Sequence, residues 1–436
     1  MAHTNYIAAI DLGTSHLVGM IGYKNAQGAL SILAEEIEES ASCIQRGCVY
    51  NVQDTAHRII RLIRKLQNKL SSKQPDYRID KVYIGVGGQS LHSVEHVEVK
   101  TINTNMDITE EDIQKLDVQC KAFKPETLDV LGISPPAYYV DGKLTDNPVG
   151  VPGRRVEAHY KLIVGQLAVR NNILKCFEYI NKNSDISLAG IFVSPLSLAE
   201  TMLGQDDKEL GCALIDFGAG VTSVVVFKRN KLVYLNVIPL GGNLITKDLT
   251  NLPLVETDAE RVKITYGSAM MIKDKEPTVL LDVKDGIGLR EINTVVEARA
   301  KEIVENVYAQ VRFSKEIDAL GAGIFLAGGA SALKNLQELV QERFKQDVRF
   351  STIRKEWMEQ EDDRMGNPLY MTAISLLIKG TENCVSYEPS QTQEQQPNEE
   401  DKGGRRKKKG ADSPSENEPK MGNIFERIIK GILEQD

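Results

Sequence analysis

Apolar runs and periodic stripes divide the chain into elements. The run at residues 6–10 stops at Asp11, passes Gly13, Thr14 and Ser15, and a second apolar run follows at 17–23. That pattern predicts a strand, a tight turn and a returning strand. It recurs roughly two hundred residues later, so a fold with two similar halves is expected. There an apolar run ends at Asp216, reverses through Gly218, Ala219 and Gly220, and leaves as a β-branched run from Thr222. Between the copies, Ile59, Ile60, Ile63, Leu66 and Leu70 share one side of a helix over 54–70, and 81–85 reads as a strand.

Residues 86–163 read as a self-contained α+β insertion. It has an alternating stretch at 91–103, a helix opening at Thr109 with Asp112 three residues on, proline-rich turns, and a closing strand at 155–164. A helix over 169–181, a strand over 189–193 and a helix over 195–203 lead into the second copy. Beyond it, Gly241, Gly242 and Asn243 open a smaller region that carries Glu260 and Lys263 on a helix, and a long helix over 293–315 returns to the main body. A third apolar strand at 323–327 ends in Gly328 and Gly329 and enters a helix. The stretch 369–378 is apolar nearly all round, which predicts a buried helix.

From 381 to 421 the composition turns to Gln, Glu, Ser, Pro, Gly and Lys, too polar for a core, so a disordered linker is expected. About forty such residues typically reach roughly 35 Å. Within them sits the basic run Arg405, Arg406, Lys407, Lys408 and Lys409. Residues 422–436 predict a helix capped by Asn423 and Glu426. At 100° per residue, Ile424, Phe425, Ile428, Ile429, Ile432 and Leu433 fill one half of its wheel, and Glu426, Arg427, Lys430 and Glu434 the other.

Composition narrows the class. A chain of 436 residues has room for two domains with ample core. Its net charge of −8 gives no global basic surface, which argues against nucleic acid as a partner. Six cysteines without a CxxC suit a reducing cytosol, and no histidine completes a zinc-like spacing with Cys43 and Cys48. His92 and His96 lie on an alternating strand and read as an incidental pair. No secretory signal is visible, and no window approaches the roughly eighteen apolar residues a membrane span needs.

The three glycine turns carry the chemistry. Gly13, Gly218, Gly220, Gly328 and Gly329 let backbone approach an anion closely, and successive amides in such turns cradle phosphate. Each turn alone reads as a plain link between core strands, but together two hairpins of this kind could clamp a triphosphate from either side, while the turn at Gly328, Gly329 and Ala330 could pack against a base. Asp11 and Asp216, each at a strand end, would hold Mg²⁺ mainly through its water shell. Glu260 and Lys263, one helical turn apart, could reach a ribose.

These motifs resemble the actin-like ATPase superfamily. Residues 11–15 match its first phosphate motif, 216–222 its second, and 324–331 its adenosine motif. Within that group the chain resembles the FtsA family of bacterial cell-division proteins from residue 6 to about 380, and the tail fits too. The resemblance implies an α/β, ribonuclease H-like fold in two domains and four subdomains. Subdomain 1A would comprise 1–85, 164–200 and 365–380. Subdomain 1C would be 86–163, 2A would be 201–243 with 296–364, and 2B would be 244–295. It also implies that ATP with Mg²⁺ sits between the halves, bound by Asp11, Gly13, Thr14, Ser15, Asp216, Gly218, Ala219, Gly220, Thr222, Gly242, Asn243, Glu260, Lys263, Gly328, Gly329 and Ala330. Actin-like filaments of the chain with itself, capture of the FtsZ C-terminal tail by 2B, and contact with other division proteins follow from the same resemblance.

Departures from the family pattern bear on turnover. His16 stands where many relatives carry lysine, and Val221 and Ser223 replace a frequent threonine and acidic residue. Ser194 stands where hydrolytic members place Glu or Gln to orient water. A short hydroxyl is a poor substitute for a water-positioning group. ATP is therefore expected to be held, with slow or negligible hydrolysis.

The tail sets the expected location. Six half-buried apolar side chains contribute on the order of 5–8 kcal/mol at a bilayer interface, before the cost of ordering the helix. Each basic residue near anionic lipid adds about 1 kcal/mol. One copy would bind reversibly and a filament firmly, at the cytoplasmic face of the inner membrane where the cell divides. The competing readings are a pilus-assembly scaffold of the PilM type, which would not need this helix, and a sugar-kinase or chaperone-type ATPase, which would need a catalytic acid.

Overall fold

A computed structural model describes residues 5–40, 42–103, 107–271 and 287–388. The basic run 405–409 and the helix expected over 422–436 lie outside them.

Two sheets built on the same plan make up the body. The first contains β1 (Asn5–Leu12), β2 (His16–Lys24), β3 (Leu30–Glu39), β7 (Lys81–Val86) and β12 (Ser187–Val193) in the order β12-β7-β1-β2-β3. Strands β1 to β3 form an antiparallel meander, and β7 then β12 add in parallel on the other side of β1. The second half repeats this with β13 (Cys212–Phe217), β14 (Thr222–Lys228), β15 (Lys231–Ile238), β16 (Ile324–Ala327) and β17 (Val348–Phe350), in the order β15-β14-β13-β16-β17. The internal repeat read from the two Asp-containing hairpins is thus a repeat of whole sheets. Tyr6 to Ile10 and Cys212 to Ile215 are buried on both faces, which is why these strands read as unbroken apolar runs.

Helices cover the sheets. In the first half these are α1 (Val52–Lys73), α3 (Leu167–Asn183), α4 (Ser194–Met202) and α10 (Pro368–Lys379). In α10 residues 373–378 are all buried, matching the expected apolar helix. The second half has α5 (Gln205–Leu210), α6 (Gly242–Leu249), α7 (Glu256–Tyr266), α8 (Leu289–Phe313) and α9 (Leu336–Phe344). The expected helix directly after Gly328-Gly329 is a short 3₁₀ turn, Gly329–Ala332, and α9 starts only at Leu336.

The insertion packs β8 (His92–Thr101), β9 (Leu128–Val140), β10 (Lys143–Thr145) and β11 (Arg155–Gln166) against α2 (Glu110–Ala122), around Leu116, Val156, Ala158, Tyr160 and Leu162. Its sheet joins that of the second half through one residue pair, His92 with Asn236. The cap at the start of α2 is reciprocal. The Asp112 amide donates to Thr109 Oγ1 at 3.3 Å and the Thr109 amide to Asp112 Oδ2 at 2.9 Å. Lys100, 2.5 Å from Asp112, with these donors, holds that carboxyl down at about 2. The capped state is therefore stabilised above the ordinary Asp range and loses that contribution as pH falls toward about 2. Thr109→Ala should cost about 1 kcal/mol, and hydrogen exchange should show α2 amides losing protection before those of α10.

Two small ladders complete the fold, β4 (Ile44–Gln45) with β5 (Cys48–Val49) and β6 (Tyr77–Ile79) with β18 (Val385–Tyr387). The second corrects the expected start of the linker at 381. Residues 381–388 are fastened to the first half. Cys384 is fully buried, its amide donates to the Tyr6 carbonyl at 2.7 Å, and its carbonyl accepts from Asp80. One apolar pair, Cys384-Val385, inside a polar stretch is enough to extend the packed body.

Candidate functional site

The register of the two hairpins puts both aspartates at the same place in their repeats. Asp11 pairs with Val18 on β2 and Gly85 on β7, while Asp216 pairs with Ser223 on β14 and Ala327 on β16. Both face a cavity of about 560 Å³ between the halves, and the three glycine turns line it together. Of the residues expected at the nucleotide site, all but Thr222 line this cavity. Thr222 is fully buried and donates instead to the Leu240 carbonyl at 2.7 Å, pinning the segment that leads to Gly242.

Close backbone packing explains the glycines. A Cβ on Gly220 would lie 2.5 Å from Thr14 Oγ1, so the second-half turn rests directly on the first-half turn. Gly328 has φ of +85°, and a Cβ there would come within 2.4 Å of both Asp216 Oδ1 and the Phe217 carbonyl. Thr14 also accepts from the Gly47 amide at 2.9 Å, which brings the β4–β5 loop to the rim. Among the described residues, no protein group accepts from the amides of Thr14, Ser15, Ala219 and Gly220. The amides of Gly242 and Asn243, at the start of α6, donate to the carbonyls of Gly218 and Ala219 at 3.0 and 2.8 Å. They brace the second turn, so what Gly242 and Asn243 offer the cavity is not their N–H groups.

Charge in the cavity is unbalanced. Burial pushes Asp11 up to about 7, against the lowering effect of the Ser194 hydroxyl and with a further push from Asp216. Burial alone pushes Asp216 up to about 6. The nearest lysine in the lining is already committed. Lys263 Nζ donates to Glu260 at 2.6 Å, to Thr246 at 2.9 Å and to the Gly242 carbonyl at 3.3 Å. His16 Nδ1 lies 3.1 Å from Ser15 Oγ. Asp11 and Asp216 are the two carboxyls here that could hold a divalent cation, whose charge would return both to the ionised form.

Several lining residues carry no sequence signal. Ile245, Ile264, Leu333 and Leu369 supply apolar wall from four separate segments, and Ile264 is 73% exposed at the rim. Thr246, which ties Lys263 and Glu260 to α6, follows from no motif, because it lies with Ile245 and Leu249 on the buried side of a helix of only eight residues and reads as one more core position.

Two repeated α/β halves around a glycine-lined cleft define an actin-like protein. The PilM–PilN type IV pilus biogenesis complex shares that fold, with a TM-score of 0.57 at 15% identity, over 86% of this chain and 98% of the solved one. The cell division protein FtsA family model matches residues 213–375, and the model for the SHS2 domain inserted in FtsA matches 88–164. Cell division protein FtsA of Porphyromonas gingivalis is 31% identical over 394 residues, covering 89% of this chain and 81% of that protein. Its counterpart in Neisseria meningitidis is 30% identical over 386 residues, covering 85% and 89%. The chain belongs to the FtsA family of cell-division proteins.

Proposed function

We propose that this cell-division protein binds Mg-ATP between its halves and acts as a membrane-bound adaptor. It would polymerise under the inner membrane, hold FtsZ through the region around 244–295, and help assemble the division septum. The observation that carries the nucleotide reading is the convergence of three glycine turns and two carboxylates on one cavity. The amides of Thr14, Ser15, Ala219 and Gly220 are positioned to meet phosphate oxygens, as in other backbone anion cradles. Asp11 and Asp216 would meet the water shell of Mg²⁺, which would neutralise the phosphate charge there. Glu260, with its side chain 42% exposed, keeps acceptor capacity for ribose hydroxyls while Lys263 fixes its direction. No carboxylate or amide side chain stands at position 194, in keeping with a nucleotide held for assembly with little turnover.

The tether rests on the sequence of 405–409 and 422–436. Among the described residues, no helix is long and apolar enough to cross a membrane, so attachment would fall to those two segments. In vesicle flotation with full-length protein, ATP and FtsZ, FtsZ should float with anionic vesicles. Removing residues 421–436 should leave it in the soluble fraction. Equal flotation of FtsZ with and without that segment would overturn the adaptor reading. Rapid ATP turnover, several per second, would favour the chaperone- or kinase-type alternative.

A further inference from the structure

The order β12-β7-β1 places Phe192, Gly85 and Asp11 side by side on three adjacent strands. Ser194 follows β12 and opens α4, with Pro195 beside it fixing the first helical turn. Its Oγ nevertheless donates to Asp11 Oδ1 at 3.1 Å, on the far side of β7. That reach depends on the residue in between. A Cβ on Gly85 would lie 2.5 Å from Ser194 Oγ and 2.5 Å from Leu376 Cδ1, so any side chain at 85 would occupy the path of the hydrogen bond.

We infer that Ser194 is a positioning residue for the nucleotide site, which through Gly85 fixes the Asp11 carboxylate and ties it to the helix leading into the second half. The inference rests on reading the cleft as a Mg-nucleotide site. With Oδ1 held by Ser194, Oδ2 is the oxygen beside the first phosphate turn, 3.8 Å from where a Cβ of Gly13 would stand. Ser194 is only 7% exposed, so water competes little for its hydroxyl. Its one O–H is spent on Asp11, so its task differs from orienting an attacking water.

The same helix continues away from the site. At its other end Thr201 Oγ1 meets Ser375 Oγ of α10 at 2.7 Å, both fully buried, and the chain then passes through α5 into β13. The carboxylate that would face the metal and the helix that joins the halves therefore share a single hydrogen bond.

The test compares wild-type, Ser194→Ala and Ser194→Thr full-length protein, titrated with ATP in excess Mg²⁺ and with ATP in EDTA. Ser194→Ala should weaken Mg-ATP binding about ten-fold, the worth of one hydrogen bond to a charged group. Its metal-free ATP binding should not move, while its urea midpoint should fall, because the buried Asp11 carboxyl loses its partner. Ser194→Thr keeps the hydroxyl and should bind Mg-ATP like wild type. If Ser194→Ala shows the wild-type Mg²⁺ dependence, or loses affinity equally with and without the metal, the positioning role is wrong while the nucleotide reading stands. A wild-type chain that binds ATP in neither condition overturns both.

Discussion

Asp216→Asn should lower affinity for Mg-ATP at least about a hundred-fold and, in the same protein, raise the stability of the nucleotide-free form at pH 8. The two effects share one cause. Asp216 lies near the end of β13 against Gly328, in a cavity where Lys263, the one lining lysine among the described residues, is already paired, and burial pushes its carboxyl up to about 6. A carboxyl raised in the folded state contributes stability below its unfolded value near 4. That contribution is lost as pH rises through about 6, so the ionised form at pH 8 is held at a cost of about 1–3 kcal/mol. Asparagine removes the charge and its cost, and with them the attraction for a metal–phosphate complex. Nucleotide titration reads the loss, and urea unfolding at pH 5 and pH 8 reads the gain, which should be larger at the higher pH. A variant that binds Mg-ATP as wild type does would remove Asp216 from the site.

Leu376→Ala should be the most destabilising of the substitutions considered, at about 3 kcal/mol with a range of 2–5. Leu376 is fully buried on α10, and its Cδ1 occupies the space a side chain at Gly85 would need. That helix packs on α4 and on β1, β2 and β7, so little around the new cavity is free to collapse into it. The urea midpoint should fall with no change in slope. Val118→Ala on α2, 65% exposed, should stay within about 0.5 kcal/mol of wild type in the same assay. A small loss for Leu376→Ala would mean that α10 and the strands beneath it relax into the new cavity.

Legibility in the sequence followed how local each cause is. Strands β1 and β13 are plain because burial on both faces makes an unbroken apolar run, and Asp followed by Gly marks where it stops. The residues that line the cavity were legible for a related reason, since turns packed this closely need glycine at fixed places. Strand β3 is hidden by Glu35, Glu36, Glu38 and Glu39. Glu38 is 8% exposed, and what makes that tolerable is Arg61 at 2.6 Å and Lys65 at 2.9 Å, on a helix that follows in the chain. No window of sequence contains both partners in register. The bond from Ser194 to Asp11 is hidden more deeply, because it depends on strand order and on the absence of a side chain at 85.

The ladder between β6 and β18 has a mechanical consequence. Any pull arriving along the chain from beyond residue 388 first meets the Glu388 amide on the Asp76 carbonyl at 2.8 Å, and then Tyr387, which pairs with Tyr77 with the two rings 5.4 Å apart. Behind it come the remaining pairs of the ladder, the Cys384 amide on Tyr6, and the Tyr83 hydroxyl accepting from Thr381 and Glu382 at 3.2 and 2.9 Å. The load is thus handed to β1, β6 and β7 before it can reach the end of α10. Tension on the tail would be borne by the sheet that carries Asp11, and the C-terminal end of the α10 spine would be shielded until that fastening had peeled away.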